Sequence, residues 1–318
     1  MPRGRPAVRA PAHGRREPTG RRAGPRSLAG PPAEAPAHAR FLDLEPERAE
    51  REWRRYEGTP QRDLFRVVRE RFLGRHEVAG GWAVDLGAGP GRFTGRVGPD
   101  PTRRLALDLS APSLRLGRER TRTDAGGAAV GWVRGDALRP PLRPAAFAEV
   151  VLIGNTLGFE LDRGPQLLER TESLVAPGGV LLVEIAPGPG EHARYLARLP
   201  PGAVRRLLLA PARAIVPRIA REGYVAEPLR HGGEAFRRWT VAELHRRWSG
   251  AGWRVRETLA VAPGLGQVPA TVAEVARDPR AWERLVALEE LLGLDPPRWR
   301  NAAAVLLAVE RPLPDQTI

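Results

Sequence analysis

The sequence predicts an α/β protein with a seven-stranded, mostly parallel sheet and helices on both faces of that sheet. Short apolar runs alternate with helical stretches along most of the chain, which is typical of βαβ units. One of these runs is followed directly by a glycine-rich turn, as where a strand leads into a helix. With 318 residues and a hydrophobic content of 42%, the chain is long and apolar enough to bury such a core.

The predicted strands are short apolar runs. Five of them follow one another in the first two thirds of the chain, and two more come towards its end. In order, they are Trp82–Leu86, Arg104–Leu109, Val130–Val133, Val150–Ile153, Val180–Ile185, Trp253–Val261 and Ala302–Glu310.

Helices are predicted before the first strand and between later strands. The helix before strand 5 is expected to stop at Pro177-Gly178-Gly179. Thr240 and Glu243 have the spacing of a capping box, which predicts the start of a helix that ends near Gly250. The other predicted helices are Glu45–Glu57, Gln61–Leu73, Gly91–Val97, Ala111–Glu119, Gln166–Val175 and a helical segment over Ala270–Leu294.

The chain is expected to consist of a tail and one domain. Residues 1–40 contain nine arginines, eight prolines and few large apolar side chains, so we expect a disordered tail. A basic arm that binds RNA or DNA is the alternative for this segment. The domain is expected over 41–318. Its core is predicted at 78–187 and 240–312, and its helical insertions at about 188–238, after strand 5, and 264–298, between strands 6 and 7.

Composition excludes several kinds of chemistry. The chain has no cysteine, which excludes disulfides, zinc–thiolate sites, iron–sulfur clusters and thiol nucleophiles. It also has no lysine, which excludes a Schiff base and the lysine of a P-loop. No apolar run is long enough to span a bilayer and no signal peptide is complete, so we expect a cytoplasmic protein without a membrane partner.

The net charge of +14 raises the possibility of a nucleic-acid partner, because arginines neutralise phosphates. Half of this charge lies in residues 1–40, however, where nine arginines and two glutamates give +7. An arginine-rich, lysine-free composition is also what GC-rich coding sequence imposes on any protein. A nucleic-acid partner is therefore not favoured.

The segment from Val84 to Phe93, VDLGAGPGRF, is the most informative for function. Its spacing is acid-x-Gly-x-Gly-x-Gly, with Asp85 two residues before Gly87. A dinucleotide-binding turn has glycine at the position of Arg92, which disfavours a nicotinamide-dependent oxidoreductase. The segment resembles the first motif of the class I methyltransferases, a family with a Rossmann-like fold that uses S-adenosylmethionine.

This resemblance implies an S-adenosylmethionine site at the ends of the first strands, and no metal. Asp85 would hold the ammonium group of the cofactor, and the glycines would permit close contact. Asp108 would accept both ribose hydroxyls, and Asp136 would contact the adenine amine. The other cofactor contacts that the resemblance implies are Gly87, Ala88, Gly89, Gly91, Leu109, Ala137 and Asn155.

Later parts of the chain extend the resemblance. The segment Val175-Ala176-Pro177-Gly178-Gly179-Val180 looks like the turn that precedes strand 5 in this family. The last two strands would form the antiparallel edge pair of the fold. The insertion at 188–238 stands where the family commonly places a cover over the substrate.

The acceptor is less clearly indicated. Family members that methylate amino groups of bases or glutamine have Pro-Pro and an aromatic residue after the Asn or Asp of strand 4, whereas Asn155 is followed by Thr156-Leu157-Gly158. We therefore expect transfer to an oxygen or nitrogen of a small molecule, without an identifiable catalytic base. Candidate acceptor contacts are Tyr56, Phe159 and Glu184. An RNA or protein methyltransferase anchored by the basic tail, and a non-catalytic module that binds the cofactor, remain open alternatives.

Overall fold

Strands and helices alternate along the computed structural model, which describes residues 46–124, 130–159, 163–186, 224–226, 235–237 and 239–314. Nine strands are assigned within these residues. They are β1 (Trp82–Leu86), β2 (Arg104–Asp108), β3 (Gly131–Arg134), β4 (Phe147–Leu152), β5 (Val175–Ile185), β6 (Tyr224–Ala226), β7 (Ala235–Arg237), β8 (Arg254–Val261) and β9 (Ala304–Glu310).

Eight α-helices surround these strands in the described part of the chain. They are α1 (Pro46–Trp53), α2 (Pro60–Arg75), α3 (Ala111–Asp124), α4 (Thr156–Phe159), α5 (Gly164–Leu174), α6 (Val241–Gly250), α7 (Pro269–Val275) and α8 (Pro279–Gly293). Helix α6 begins as its capping box predicts, because the Thr240 side chain accepts a hydrogen bond from the Glu243 N–H at 3.1 Å.

Seven of the strands form one sheet with the order β3-β2-β1-β4-β5-β9-β8. Strands β1 to β5 run parallel, and β9 pairs antiparallel with both β5 and β8. The predicted Rossmann-like sheet and its antiparallel edge pair are therefore confirmed. Strand order reverses between β1 and β4, and ligands of open α/β sheets bind beside such a reversal, at the carboxyl ends of the strands.

The two faces of the sheet bury separate apolar clusters. Val84 and Leu86 of β1 belong to one cluster, which also includes Trp248 of α6. Ala83 belongs to the other cluster, together with Phe72 of α2. Successive strand residues point to opposite faces, so covering both faces requires the helices on each side that the sequence predicts.

The predicted helix over Gly91–Val97 is wrong. The structure has turns there and one short 3-10 turn over Thr94–Arg96. Gly91 has φ 77°, which an α-helix cannot contain, and the N–H groups of Thr94, Arg96 and Val97 each donate to the carbonyl three residues earlier, as in 3-10 turns. The Arg104 guanidinium also holds the segment in its irregular path by donating to the Gly98 carbonyl at 2.6 Å.

Strand β5 begins at Val175 and not at the predicted Val180. The segment Pro177-Gly178-Gly179 does stop helix α5, which ends at Leu174, but it lies within the strand as an irregularity in its pairing with β4. Gly178 adopts φ 74° there and donates its N–H to the Arg311 carbonyl at 2.9 Å.

The two insertions differ in how far the structure describes them. Between β8 and β9, helices α7 and α8 confirm a helical segment. After β5, the described residues are the strands β6 and β7, which form a separate antiparallel pair that the sequence did not suggest. The helical patches predicted at His192–Leu199 and Val204–Ile219, like the tail over 1–40, lie outside the described residues. In the part of the chain that is described, no helix has the length and apolar character needed to cross a membrane.

Candidate functional site

Three acidic residues stand at the ends of adjacent parallel strands. Asp85 is the next-to-last residue of β1, Asp108 is the last residue of β2, and Asp136 follows β3 by two residues. The Gly135 N–H donates to the Asp108 carbonyl at 3.0 Å, which joins the end of β3 to the end of β2. The structure therefore brings the three predicted acids to one edge of the sheet.

Asp85 is almost completely buried, with 4% of its surface exposed. The Thr94 hydroxyl donates to its Oδ2 at 2.6 Å. Burial raises the pKa of Asp85 to about 7, the hydrogen bond from Thr94 opposes this shift, and the nearby charge of Asp108 adds to it. At neutral pH the carboxyl group is therefore close to the balance between its neutral and charged forms.

The glycine-rich turn is fixed to the end of β2 by its backbone. The N–H groups of Gly87 and Ala88 both donate to the Leu107 carbonyl, at 2.8 Å and 3.1 Å. Gly87 has φ 65°, and a Cβ atom there would lie 2.4 Å from the Thr156 side chain. Gly89 differs, because its φ is 55° but a Cβ atom would meet no atom within 4 Å. The turn therefore keeps space open at Gly89.

Asp108 binds the turn through its side chain. Its Oδ2 accepts from the Gly89 N–H and its Oδ1 from the Ser110 N–H, both at 2.7 Å. A carboxylate has about four lone-pair positions, so one such group can bind a backbone turn and accept from hydroxyl groups of a ligand at the same time.

The residues expected near the adenine ring lie at the ends of β2 and β3. Asp136 accepts from the Leu138 N–H at 2.9 Å, which fixes its carboxylate in a turn, and Ala137 beside it is half-buried. Leu109 is also half-buried, and its carbonyl accepts from Arg134 Nε at 3.1 Å.

Trp132 of β3 supports the turn and was missed by the sequence analysis. A Cβ atom on Gly91 would lie 2.3 Å from its ring, and one on Gly117 of α3 would lie 2.4 Å from it. The indole therefore packs against both the turn and the helix, at positions where only glycine leaves room. An isolated glycine within a predicted helix is the signal that could have indicated this contact.

Glu184 of β5, a predicted acceptor contact, is held by an arginine that the sequence analysis did not identify. Arg69 of α2 donates to both of its oxygens, at 2.8 Å and 2.9 Å, and both side chains are buried. The Gly154 N–H also donates to Glu184 at 3.3 Å. Burial is the largest single effect and opposes ionisation of Glu184, but the charge and hydrogen bonds of Arg69 and the hydrogen bond from Gly154 together outweigh it, so the pKa of Glu184 is lowered. No sequence spacing links residues 69 and 184, and only the fold could reveal this pair.

The N-terminal helix covers the glycine-rich turn. The indole of Trp53 lies between two guanidinium groups, with Arg92 of the turn 5.0 Å and Arg120 of α3 5.6 Å from the ring centroid. The same arginines pair with acidic residues of the N-terminal segment, Arg92 with Glu57 at 2.6 Å and Arg120 with Glu50 at 3.2 Å.

Tyr56, another predicted acceptor contact, packs against Phe93 of the glycine-rich turn and against Arg69. Its ring makes an edge-to-face contact with Phe93 at 5.1 Å, and the Arg69 guanidinium lies 5.1 Å from its centroid. Burial raises the pKa of the phenol. Tyr56 and Glu184 are therefore brought together through Arg69.

The segment after β4 places Asn155 at the same edge of the sheet. Asn155 adopts φ 64°, and its side-chain oxygen accepts from the Ala186 N–H at 3.3 Å, which joins the ends of β4 and β5. Phe159 is the last residue of α4, and its side chain lies outside the described residues.

The sequence of residues 83–179, which covers the turn and strands β1 to β4, matches a family described as methyltransferase domain. This match supports the assignment of that segment to the class I, S-adenosylmethionine-dependent methyltransferases. No curated protein matches it in sequence.

Several solved methyltransferases are similar to this one in structure. An S-adenosylmethionine-dependent methyltransferase from Methanosarcina mazei shares 12% identity and a TM-score of 0.50, with 76% of this chain and 97% of that chain covered. Magnesium protoporphyrin IX methyltransferase from Synechocystis, solved with bound SAH, shares 10% identity and a TM-score of 0.48, with 86% and 98% covered. A putative methyltransferase from Haloferax volcanii, solved with an activator protein, shares 18% identity and a TM-score of 0.49, with 87% and 98% covered. At these identities, the likeness to the Methanosarcina mazei protein supports the fold alone.

Proposed function

We propose that this methyltransferase binds S-adenosylmethionine at the carboxyl ends of β1, β2 and β3 and methylates an oxygen or nitrogen atom of a small molecule. The observation that carries the proposal is that Asp85, Asp108 and Asp136 stand at the carboxyl ends of three adjacent parallel strands, with Asp108 hydrogen-bonded to the glycine-rich turn. A second observation supports the fit of the cofactor, because Gly89 leaves open space at the position where the backbone would approach it.

Each part of the cofactor is assigned to residues of matching chemistry. Asp85 holds the ammonium group, and Asp108 accepts from the ribose hydroxyls while it also binds Gly89. Asp136, with the backbone of Leu109 and Ala137, surrounds the adenine ring. The turn residues that approach the cofactor are Gly87, Ala88, Gly89 and Gly91, and Asn155 adds a contact from the end of β4.

The bound cofactor supplies a methyl group that is already activated by the positively charged sulfur. The protein therefore has mainly to orient the acceptor and exclude water. We assign an orienting role to Glu184, because Arg69 donates to both of its oxygens and lowers its pKa, which makes it a poor proton acceptor. Tyr56 and Phe159 are the other proposed acceptor contacts.

A small acceptor is favoured by the residues after β4. The N-terminal segment contacts Arg92 of the turn through Trp53 and Glu57. Asn155 is followed by Thr156-Leu157-Gly158, without the Pro-Pro-aromatic segment that accompanies methylation of amino groups on bases.

A labelling experiment tests this function. The purified full chain is incubated with S-adenosylmethionine that carries an isotopically labelled methyl group, together with separate metabolite, RNA and protein fractions of a bacterial extract. We expect label on oxygen or nitrogen of a compound in the metabolite fraction, and no label with Asp108→Ala. Label confined to RNA or protein would contradict the small-molecule acceptor. Binding of the cofactor with no transfer to any fraction would favour a non-catalytic module.

A further inference from the structure

The hydroxyl of Thr94 is placed to act on the cofactor through Asp85. Thr94 has no exposed surface, and it begins the 3-10 turn over Thr94–Arg96. Its N–H donates to the Gly91 carbonyl at 3.2 Å, so its backbone is fixed to the glycine-rich turn. Its hydroxyl donates to Asp85 Oδ2 at 2.6 Å. The glycine-rich turn thus fixes the position of the donor that binds Oδ2 of Asp85.

The direction of this hydrogen bond determines which form of Asp85 it stabilises. A hydroxyl that donates to a carboxylate favours the charged form, whereas burial favours the neutral form. Here burial dominates and raises the pKa of Asp85 to about 7, and Thr94 acts in the opposite direction. Without the hydroxyl, Asp85 would be neutral over a wider range of pH and would attract a cation less strongly.

Other charges around Asp85 do not replace this contribution. Asp108 of β2 is negative and opposes ionisation of Asp85. On the other side of β1, the residue paired with Asp85 is Val151 of β4, which carries no charge. Among the described residues, the hydrogen bond that favours the charged form of Asp85 therefore comes from Thr94.

We propose that Thr94 is a positioning residue for the methyl donor: its hydroxyl favours the charged form of Asp85 and occupies Oδ2, so that Oδ1 is directed to the ammonium group of S-adenosylmethionine. This inference rests on the proposed role of Asp85. It assigns a function to a residue of the segment that replaces the expected helix after β1.

Calorimetric titration of the full chain with S-adenosylhomocysteine between pH 5.5 and 8.5 tests this role. The wild-type affinity should fall about tenfold per pH unit below pH 7, as Asp85 becomes protonated. Thr94→Val should shift this dependence upwards by about half a pH unit to one unit, which weakens binding about two- to fivefold at pH 7 and less than about twofold at pH 8.5. Thr94→Ser, which keeps a hydroxyl, should behave like the wild type.

The variants separate this inference from the proposed function. Asp85→Asn should remove the part of the pH dependence that comes from Asp85, and adding Thr94→Val to it should cause no further change. A loss of affinity in Thr94→Val that is the same at every pH, or that Thr94→Ser shares, would show that Thr94 merely shapes the turn and would overturn the inference alone. Absence of binding by the wild type, or unchanged affinity in Asp85→Asn, would instead overturn the proposed cofactor site.

Discussion

Two buried carboxyl groups, Asp85 and Glu149, contact the same loop between β1 and β2, and the pKa of each is raised. Burial raises the pKa of each to about 7. The segment between β1 and β2 supplies a hydrogen bond to each of them. The Thr94 hydroxyl donates to Asp85 at 2.6 Å, and the Gly98 N–H donates to Glu149 at 3.1 Å.

The two groups differ in their positions along the strands. Asp85 stands next to the end of β1, beside the glycine-rich turn and Asp108. Glu149 is the third residue of β4 and pairs with Ala83, two residues before Asp85 in β1. A raised pKa therefore identifies a buried acid, but its place relative to the strand ends decides whether it belongs to a ligand site.

A third buried acid, Glu184, differs from these two because it forms an ion pair with an arginine. Glu184 pairs with Arg69 through two hydrogen bonds, and its pKa is lowered instead of raised. We expect Arg69→Met to destabilise the protein by about 3–5 kcal/mol, because the buried Glu184 then loses its partner. Urea unfolding measures this change. The double variant Arg69→Met with Glu184→Gln should recover much of the loss, and a double variant as unstable as the single one would contradict this explanation.

Asp108, the acid next to Asp85, should affect cofactor binding, whereas Glu149 should not. Asp108→Ala removes the proposed ribose contact and also frees the Gly89 N–H. We expect S-adenosylhomocysteine affinity to fall by about 2–3 kcal/mol, the range for hydrogen bonds to a charged group. Calorimetry checks this, with Asp100→Ala as a control, because Asp100 is an exposed acid that caps the 3-10 turn before β2. Equal losses in both variants would show that general disturbance of the loop is the cause.

Glu149 should affect stability without affecting the cofactor. Its pKa is raised from 4.5 to about 7, so its stabilising contribution is complete below pH 4.5 and is lost as the pH rises to 7. Glu149→Gln should therefore reduce the decline in unfolding free energy between pH 5 and pH 8 by about 1–2 kcal/mol. Urea unfolding at several pH values measures this decline. A decline as steep as that of the wild type would contradict a raised pKa at Glu149.

Asp85 contributes to the same decline, since its pKa is also raised to about 7. Saturating S-adenosylhomocysteine should remove the contribution of Asp85, because the bound ammonium favours its charged form. The contribution of Glu149 should remain. If neither acid contacts the ligand, saturating S-adenosylhomocysteine should leave both contributions to the decline in unfolding free energy unchanged.

The sequence could predict the strand ends and the glycine-rich turn because their signals are local. Asp85 and Asp108 each follow a short apolar run, and parallel strands bring such ends together without further information. The contacts of Arg69 and Trp132 could not be predicted in the same way. They join elements that are distant along the chain, and side-chain packing determines them.

The segment after the turn shows a second limit of sequence reasoning. A helix over Gly91–Val97 was expected from the usual alternation of strands and helices, but Gly91 has a positive φ and the backbone hydrogen bonds there join residues three apart. The resulting loop brings Thr94 to Asp85 and Gly98 to Glu149. The Thr94 hydroxyl and the Gly98 N–H therefore reach the two buried acids from an irregular segment that the alternation of strands and helices does not predict.

We propose that the position of Asp85 at the carboxyl end of β1, and not burial by itself, makes it a cofactor ligand. Calorimetric titration of S-adenosylhomocysteine into Asp85→Asn and Glu149→Gln at pH 8 separates position from burial, because each substitution neutralises one buried acid of similar pKa. We expect Asp85→Asn to weaken binding about tenfold or more, the effect of losing one charged hydrogen bond, and Glu149→Gln to change it less than about twofold. Equal affinities in the two variants, or a larger loss in Glu149→Gln, would rule out this role for Asp85.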